Sequence, residues 1–75
     1  MAEAESMTPT QFDALSKLIR LRTGPAAEGA RLVLVSGATM THAAVQAGCS
    51  RQSVSNTVDR VRKGYALAVL AAGAL

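Results

Sequence analysis

Apolar residues recur every three or four positions along most of this chain, which is the spacing of amphipathic helices. In the first segment they fall on one predicted helix face, at Phe12, Leu15, Leu18 and Ile19. Thr8 and Gln11 fit a capping box before them, and Pro9 suits the first helical position. No alternating strand pattern and no internal repeat occurs, so the sequence predicts an all-α protein, a small helical bundle.

Three further helices follow from the turn signals. The tripeptide TGP at 23–25 ends the first helix and starts a second, whose apolar run to Val35 is expected in the core. Gly37 is placed to close that helix in a left-handed conformation. Thr39 can cap a short third helix, which is predicted over residues 40–47. A fourth helix is predicted from Arg51 and can continue toward Gly73.

The third and fourth helices are joined by a glycine-containing turn, which predicts a helix-turn-helix. Ala43 and Ala44 are small enough for close helix packing, and Gly48 tolerates the positive φ of the turn. The modest apolar side chain of Cys49 fits between the two helices. A stripe on the fourth helix is expected to hold it on the core: Val54, Val58, Val61 and Tyr65.

Short polar side chains crowd the start of the fourth helix, and Ser50 is a suitable cap for it. Such a face alone is usually only solvated surface, but helix-turn-helix proteins place these positions in the DNA major groove. Arg can pair with guanine and Gln or Asn with adenine, while Ser can contact phosphates. The predicted DNA-binding residues are Thr41, Ser50, Arg51, Gln52, Ser53, Ser55, Asn56, Arg60 and Lys63. Asp59 is discordant: either it pairs with Lys63 or it repels some DNA sequences.

Composition supports a polyanionic partner and excludes several classes of site. The net charge is +3, and from Met7 onward the chain has eight basic and three acidic residues, which gives +5 for that part. One cysteine and one histidine leave no internal disulfide, no usual zinc site and no catalytic constellation. We therefore expect neither an enzyme nor a cofactor.

The two ends of the chain differ in character. Residues 1–7 are acidic and predict a flexible leader without a secretory signal, so a cytoplasmic location is expected. The apolar end is too short to span a bilayer. Residues 8–63 are expected to form the DNA-binding domain and 64–75 a dimerisation segment, or else a helix packed on its own core. The predicted dimer contacts are Tyr65, Leu67, Val69, Leu70 and Leu75.

Three blocks of the sequence resemble the KorA/TrfB family of small plasmid-encoded transcriptional repressors. They are TxxQF from Thr8, VLVxG ending at Gly37, and SRxxVSxxVxRV from Ser50. The resemblance covers residues 7–63, and by length a short KorC-like member is the better comparison. It implies a homodimer that binds a palindromic operator and represses plasmid genes for maintenance and transfer.

The same resemblance places the family's recognition helix on residues 51–61. It implies that Gln52 and Asn56 face bases, and that Arg51, Ser53 and Ser55 face bases or phosphates. The chain departs from KorA after Lys63, since the separate dimerisation region of that protein has no counterpart here beyond a short apolar tail.

The leading hypothesis is a dimeric, sequence-specific repressor that occupies an inverted-repeat operator in double-stranded DNA, on the plasmid or nucleoid of a bacterium. The alternative from another class is a helical interaction module that contacts polymerase or another regulator, including another plasmid regulator. A weaker alternative is the DNA-binding end of a recombinase or partition protein, for whose catalytic or ATP-binding part the sequence has no room.

Overall fold

The computed structural model describes residues 7–74, with side chains described through Gly73. Most of the predicted leader, residues 1–6, and the predicted dimer contact Leu75 therefore lie outside the described residues. Within the described range the chain forms four helices and no strand, so the all-α prediction is confirmed. The helices are α1 (Pro9–Leu18), α2 (Pro25–Ser36), α3 (Met40–Ala47) and α4 (Arg51–Ala74).

The local signals in the sequence fix the helix ends as predicted. Thr8 and Gln11 form the reciprocal capping box, with bonds of 3.1 Å and 3.0 Å. Thr39 caps α3 by accepting the amide hydrogen of His42 at 3.1 Å. Gly37 and Gly48 both have left-handed backbones, with φ of 78° and 75°. Because a residue without a Cβ adopts this region without strain, each glycine ends its helix and redirects the chain.

The core lies around α2, which contacts each of the other three helices. Its centre is Leu34, only 1% exposed, and Cys49 packs against the same cluster from the turn before α4. The other buried apolar side chains come from every helix and from a position two residues before α1: Met7, Phe12, Leu15, Ala30, Ala43, Ala44, Val54, Val58 and Val61. Six of these ten buried residues are alanine or valine, and such small side chains permit close packing of the helices.

Two glycines mark the closest approaches between helices. A Cβ built on Gly29 of α2 would lie 2.6 Å from Cγ2 of Val54, and one on Gly64 of α4 would lie 2.7 Å from Cγ2 of Ile19. Real Cβ atoms essentially never approach so closely. At these two points α4 lies against α2 and α1 with no room for a side chain on the glycine.

Three details differ from the sequence prediction. Met7 belongs to the folded part rather than to the leader, because its side chain is buried and its amide hydrogen bonds the carbonyl oxygen of Leu34 at 2.8 Å. Leu18, the last residue of α1, is 64% exposed, although the sequence pattern places it on the buried face. Tyr65 is 40% exposed and does not extend the buried stripe of α4; the buried position is Gly64, which faces Ile19.

α4 continues without a break past the predicted domain boundary at residue 64 and extends beyond the core. Its 24 residues span about 36 Å at 1.5 Å per residue, against a longest molecular dimension of 40 Å. Among the side chains described beyond Gly64, the large ones are exposed, and Ala68 alone packs against the core. The described part of the tail therefore buries little of its apolar surface on its own chain. No helix within residues 7–74 is long and apolar enough to cross a membrane.

Candidate nucleic-acid interface

The turn between α3 and α4 is set by backbone hydrogen bonds at Gly48. The amide hydrogens of Gly48 and Cys49 both bond the carbonyl oxygen of Ala44, at 2.9 Å and 3.1 Å. The left-handed backbone of Gly48 permits this double closure. It leaves only Cys49 and Ser50 before the first residue of α4, so the start of α4 is tied closely to the end of α3.

Ser50 caps α4 as predicted. Its Oγ accepts the amide hydrogen of Ser53 at 3.1 Å and donates to Ser53 Oγ at 2.9 Å. The hydroxyl groups of Ser50 and Ser53 are thus bonded to each other, and that of Ser50 is also bonded to the backbone. Ser53 is only half exposed, so in the structure these serines hold the helix start in place before they meet any ligand.

The inner face of α4 is fixed firmly to the core. Val54, Val58 and Val61 are each 0% exposed. Thr57 is 8% exposed, and its hydroxyl donates to the carbonyl oxygen of Ser53 at 2.9 Å, which satisfies its buried polar group. The rotation of α4 about its own axis is therefore determined, and so is the direction of its outward side chains.

The outward face of α4 carries polar residues at spacings of four, three and four: Gln52, Asn56, Asp59 and Lys63. All four are exposed. Gln52 Nε2 donates to Asn56 Oδ1 at 2.9 Å, which orders both amide groups. The bond leaves Gln52 Oε1 as an acceptor and Asn56 Nδ2 as a donor for an external partner. An adenine edge offers a complementary donor and acceptor in the major groove.

One flank of this face borders a groove of about 290 Å³ between the starts of α3 and α4. Its lining residues are Met40, Arg51, Gln52 and Ser55. Arg51 is exposed and Ser55 is half buried. Arg51 and Gln52 therefore line the same groove at the start of α4, where the helix dipole favours an anion.

The remaining predicted DNA-binding residues differ in where the structure places their side chains. Thr41 is exposed in the first turn of α3. Arg60 is exposed but points toward α1, where its guanidinium donates to the carbonyl oxygen of Ile19 at 3.4 Å. Asp59 and Lys63 form no ion pair, and the salt bridge found among the described residues joins Arg31 to Asp13 at 3.0 Å. Both members of the predicted Asp59–Lys63 pair thus keep their charges exposed.

Sequence reasoning missed the residues that set the orientation of α4. Gly29 permits the close contact with Val54, and Gly64 permits the contact with Ile19. Both glycines lie inside predicted helices, where glycine costs about 1 kcal/mol relative to alanine. A glycine kept in such a position usually has a packing reason, and that was the available signal.

The described residues contain no group of three or more His, Cys, Asp or Glu side chains placed to hold a metal ion. No protein-family model, curated protein or solved structure matches the chain. The resemblance to the KorA/TrfB repressors therefore stays a prediction, and the case for a function depends on the geometry of α3 and α4.

Proposed function

We propose that the chain is a sequence-specific DNA-binding repressor that acts as a homodimer, with α3 and α4 as its helix-turn-helix. The observation that carries this proposal is the amide pair of Gln52 and Asn56. It is ordered by its own hydrogen bond and exposed on the outward face of α4, whose inner face is fully buried.

The arrangement suits the dimensions of DNA. The predicted base contacts of α4 lie in its first two turns, between Arg51 and Asn56, about 8 Å along the helix axis. The major groove is about 12 Å wide and accepts a helix. Arg51, which lines the protein groove together with Met40, supplies a hydrogen-bond donor for guanine or phosphate. The start of α4 favours the negatively charged phosphate backbone of DNA.

A single helix of this kind contacts few base pairs, so two copies on a two-fold operator are needed for useful affinity. The apolar tail of α4 supports self-association. Leu67, Val69 and Leu70 are 66%, 53% and 70% exposed, and no charged residue occurs between Lys63 and the chain end. A helix that is apolar all round is normally covered. The proposed cover is the same segment of a second copy.

Repression follows in this proposal from operator occupancy, which blocks access of polymerase to an overlapping promoter. The three sequence blocks that resemble KorA/TrfB proteins support plasmid genes as the regulated set. One of these blocks spans the first three turns of α4, within the proposed helix-turn-helix, while the other two lie at the capping box of α1 and the left-handed end of α2.

The test is a selection of random double-stranded oligonucleotides by the purified protein at moderate salt, followed by sequencing. We expect enrichment of an inverted repeat, whose spacing reports how far apart the two copies of α4 are held. A folded protein that enriches no sequence would contradict the proposal.

A protein-interaction module remains the second candidate, because the exposed leucines of α4 would equally fit an apolar groove on another protein. The two functions differ in their dependence on the amide pair. An interaction module would enrich no DNA sequence and would tolerate changes at Gln52 and Asn56.

Replacing Asn56 with Ala, or Gln52 with Ala, is expected to relax base preference at one position in each half-site. Loss of one bidentate amide contact removes about 1–3 kcal/mol of discrimination against the wrong base. Both residues are exposed, so the free energy of unfolding should change by no more than about 0.5 kcal/mol. Competition binding with single-base operator variants measures the first effect and denaturant unfolding the second.

The matched control is Lys63→Ala on the same outward face. It should weaken binding to all sequences alike and leave base preference unchanged, because a lysine so far along α4 is placed to meet phosphate rather than bases. Equal loss of preference in all three variants would argue against base recognition by the amide pair.

A further inference from the structure

α1 ends in a left-handed turn that is built around an arginine. Arg20 has φ of 55°, the only positive φ at a non-glycine residue within the described chain. The turn is a complete Schellman motif: the amide hydrogen of Leu21 bonds the carbonyl oxygen of Ser16 at 2.8 Å, and that of Arg20 bonds Lys17 at 3.2 Å. Glycine is the usual residue at this position.

The same chain uses glycine where it closes α2 and α3, at Gly37 and Gly48. A side chain in the left-handed region is strained by the contact of its Cβ with the backbone. The Arg20 side chain is exposed and its guanidinium donates to no described residue, so the side chain gives the fold no visible compensation. An uncompensated strain of this kind points to a role for the side chain outside the fold.

Two further cations lie at the same place. Lys17 is exposed and borders the same surface depression as Arg20. Arg60 reaches across from α4 to the carbonyl oxygen of Ile19, the residue before Arg20. We call these three residues, Lys17, Arg20 and Arg60, the α1 corner. Asp13 also borders the depression, but its carboxylate is engaged by Arg31 at 3.0 Å.

The α1 corner adjoins the outward face of α4. Arg60 follows Asn56 by one helical turn, and the contact of Gly64 with Ile19 fixes the end of α1 against α4. From Gln52 to Arg60 the helix rises about 12 Å, which matches the width of the major groove. If the start of α4 enters the groove, this rise would bring the α1 corner near a flanking phosphate strand.

We propose that the α1 corner binds the phosphate backbone of the same DNA duplex, beside the groove that α4 enters. The inference rests on the proposed function, which assigns no role to Lys17 or Arg20. In it, Arg20 replaces the usual glycine because its cation contacts DNA. The contact is independent of sequence and adds affinity and orientation rather than base preference.

The first test is Arg20→Gly, which separates function from stability. Glycine relieves the strained turn, so the melting temperature should stay constant or rise by a few degrees. Because the substitution occurs in both copies of the dimer, two phosphate contacts are lost. Operator affinity should therefore fall about 30-fold at roughly 0.15 M salt, and the salt dependence should flatten by about 1.8. A lower melting temperature with unchanged affinity would show that Arg20 serves the fold and would overturn the inference.

Two arginine controls separate a local contact from net charge. Arg20→Lys keeps the cation and should retain most of the affinity. Arg22→Gln removes an exposed cation only two residues away, in the groove between α1 and α2 that Glu28 also lines. It should change affinity and salt dependence much less than Arg20→Gln. Equal effects of Arg20→Gln and Arg22→Gln would show that net charge, rather than a local contact at the α1 corner, determines the affinity, and would overturn the inference.

The wild-type protein is measured first, on the inverted repeat recovered by selection. If it enriches no sequence, the proposed function fails and the inference falls with it. If it binds the repeat while Lys17→Gln and Arg20→Gln leave the salt dependence unchanged, the function stands and only the α1 corner is refuted.

Discussion

Gly29→Ala is expected to lower the free energy of unfolding by about 1–3 kcal/mol, although alanine is the better helix former. The added Cβ would lie 2.6 Å from Cγ2 of Val54, which is 0% exposed. A valine side chain is stiff at χ1 and cannot swing away within a packed core. The overlap is relieved only if α2 and α4 separate. Denaturant unfolding monitored by circular dichroism measures the loss.

The chain supplies its own control for this substitution. Gly73 also lies in a helix, but a Cβ there would meet nothing within 4 Å. Gly73→Ala should therefore leave stability unchanged or raise it by up to about 1 kcal/mol. If both variants destabilise the protein equally, the close contact at Gly29 is not the cause.

A second substitution can test the contact directly. Val54→Ala alone should cost about 1–3 kcal/mol through the cavity that it leaves. Combined with Gly29→Ala, it removes the overlapping methyl group, so the two losses should not add. We expect a coupling of at least about 1 kcal/mol in the double-mutant cycle, and an additive result would contradict the packing described.

The contact has a consequence for DNA binding. Val54 lies on the inner side of the first turn of α4, between the positions of Gln52 and Asn56. A shift of α4 away from α2 would displace both amides relative to a groove that tolerates little misplacement. Gly29→Ala should therefore weaken operator binding under conditions where the variant is still folded, while Gly73→Ala should not.

Leu70→Glu is expected to abolish dimerisation and, with it, high-affinity operator binding. Leu70 is 70% exposed in the single chain, so a charge there should scarcely alter the unfolding of the monomer. In a two-fold dimer the change occurs twice, and burying one leucine contributes about 1.5–3 kcal/mol. The dimer dissociation constant should rise by a factor of at least about 100. Sedimentation equilibrium measures this constant.

Val45→Glu is the control for Leu70→Glu. Val45 is an apolar residue of α3 that is 76% exposed, and it lies outside the tail. The variant should remain a dimer with an unchanged dissociation constant. A monomeric wild-type protein, or equal dissociation of both variants, would show that the tail does not hold two copies together, and the exposed leucines would then favour the interaction-module function.

Much of the local structure could be predicted from the sequence, because the signals act over three or four residues. Thr8 with Gln11, Thr39 and Ser50 supply the hydrogen bonds that helix starts lack, and Gly37 and Gly48 supply the backbone freedom that helix ends require. These interactions need no distant partner. The same holds for the order of the four helices and for the polar outward face of α4, which helical periodicity places opposite Val54, Val58 and Val61.

What only the tertiary structure decided are the contacts between residues far apart in the chain. The pairing of Gly29 with Val54 and of Gly64 with Ile19 depends on how three helices cross, and periodicity carries no information on crossing. For that reason Tyr65 and Leu18 were assigned to buried faces that the structure leaves exposed, while Met7 was assigned to a leader although it packs on α2. Arg20 and Arg60 are 40 residues apart in sequence, and only the packing of α1 on α4 brings the Arg60 guanidinium to the carbonyl oxygen of Ile19, the residue before Arg20.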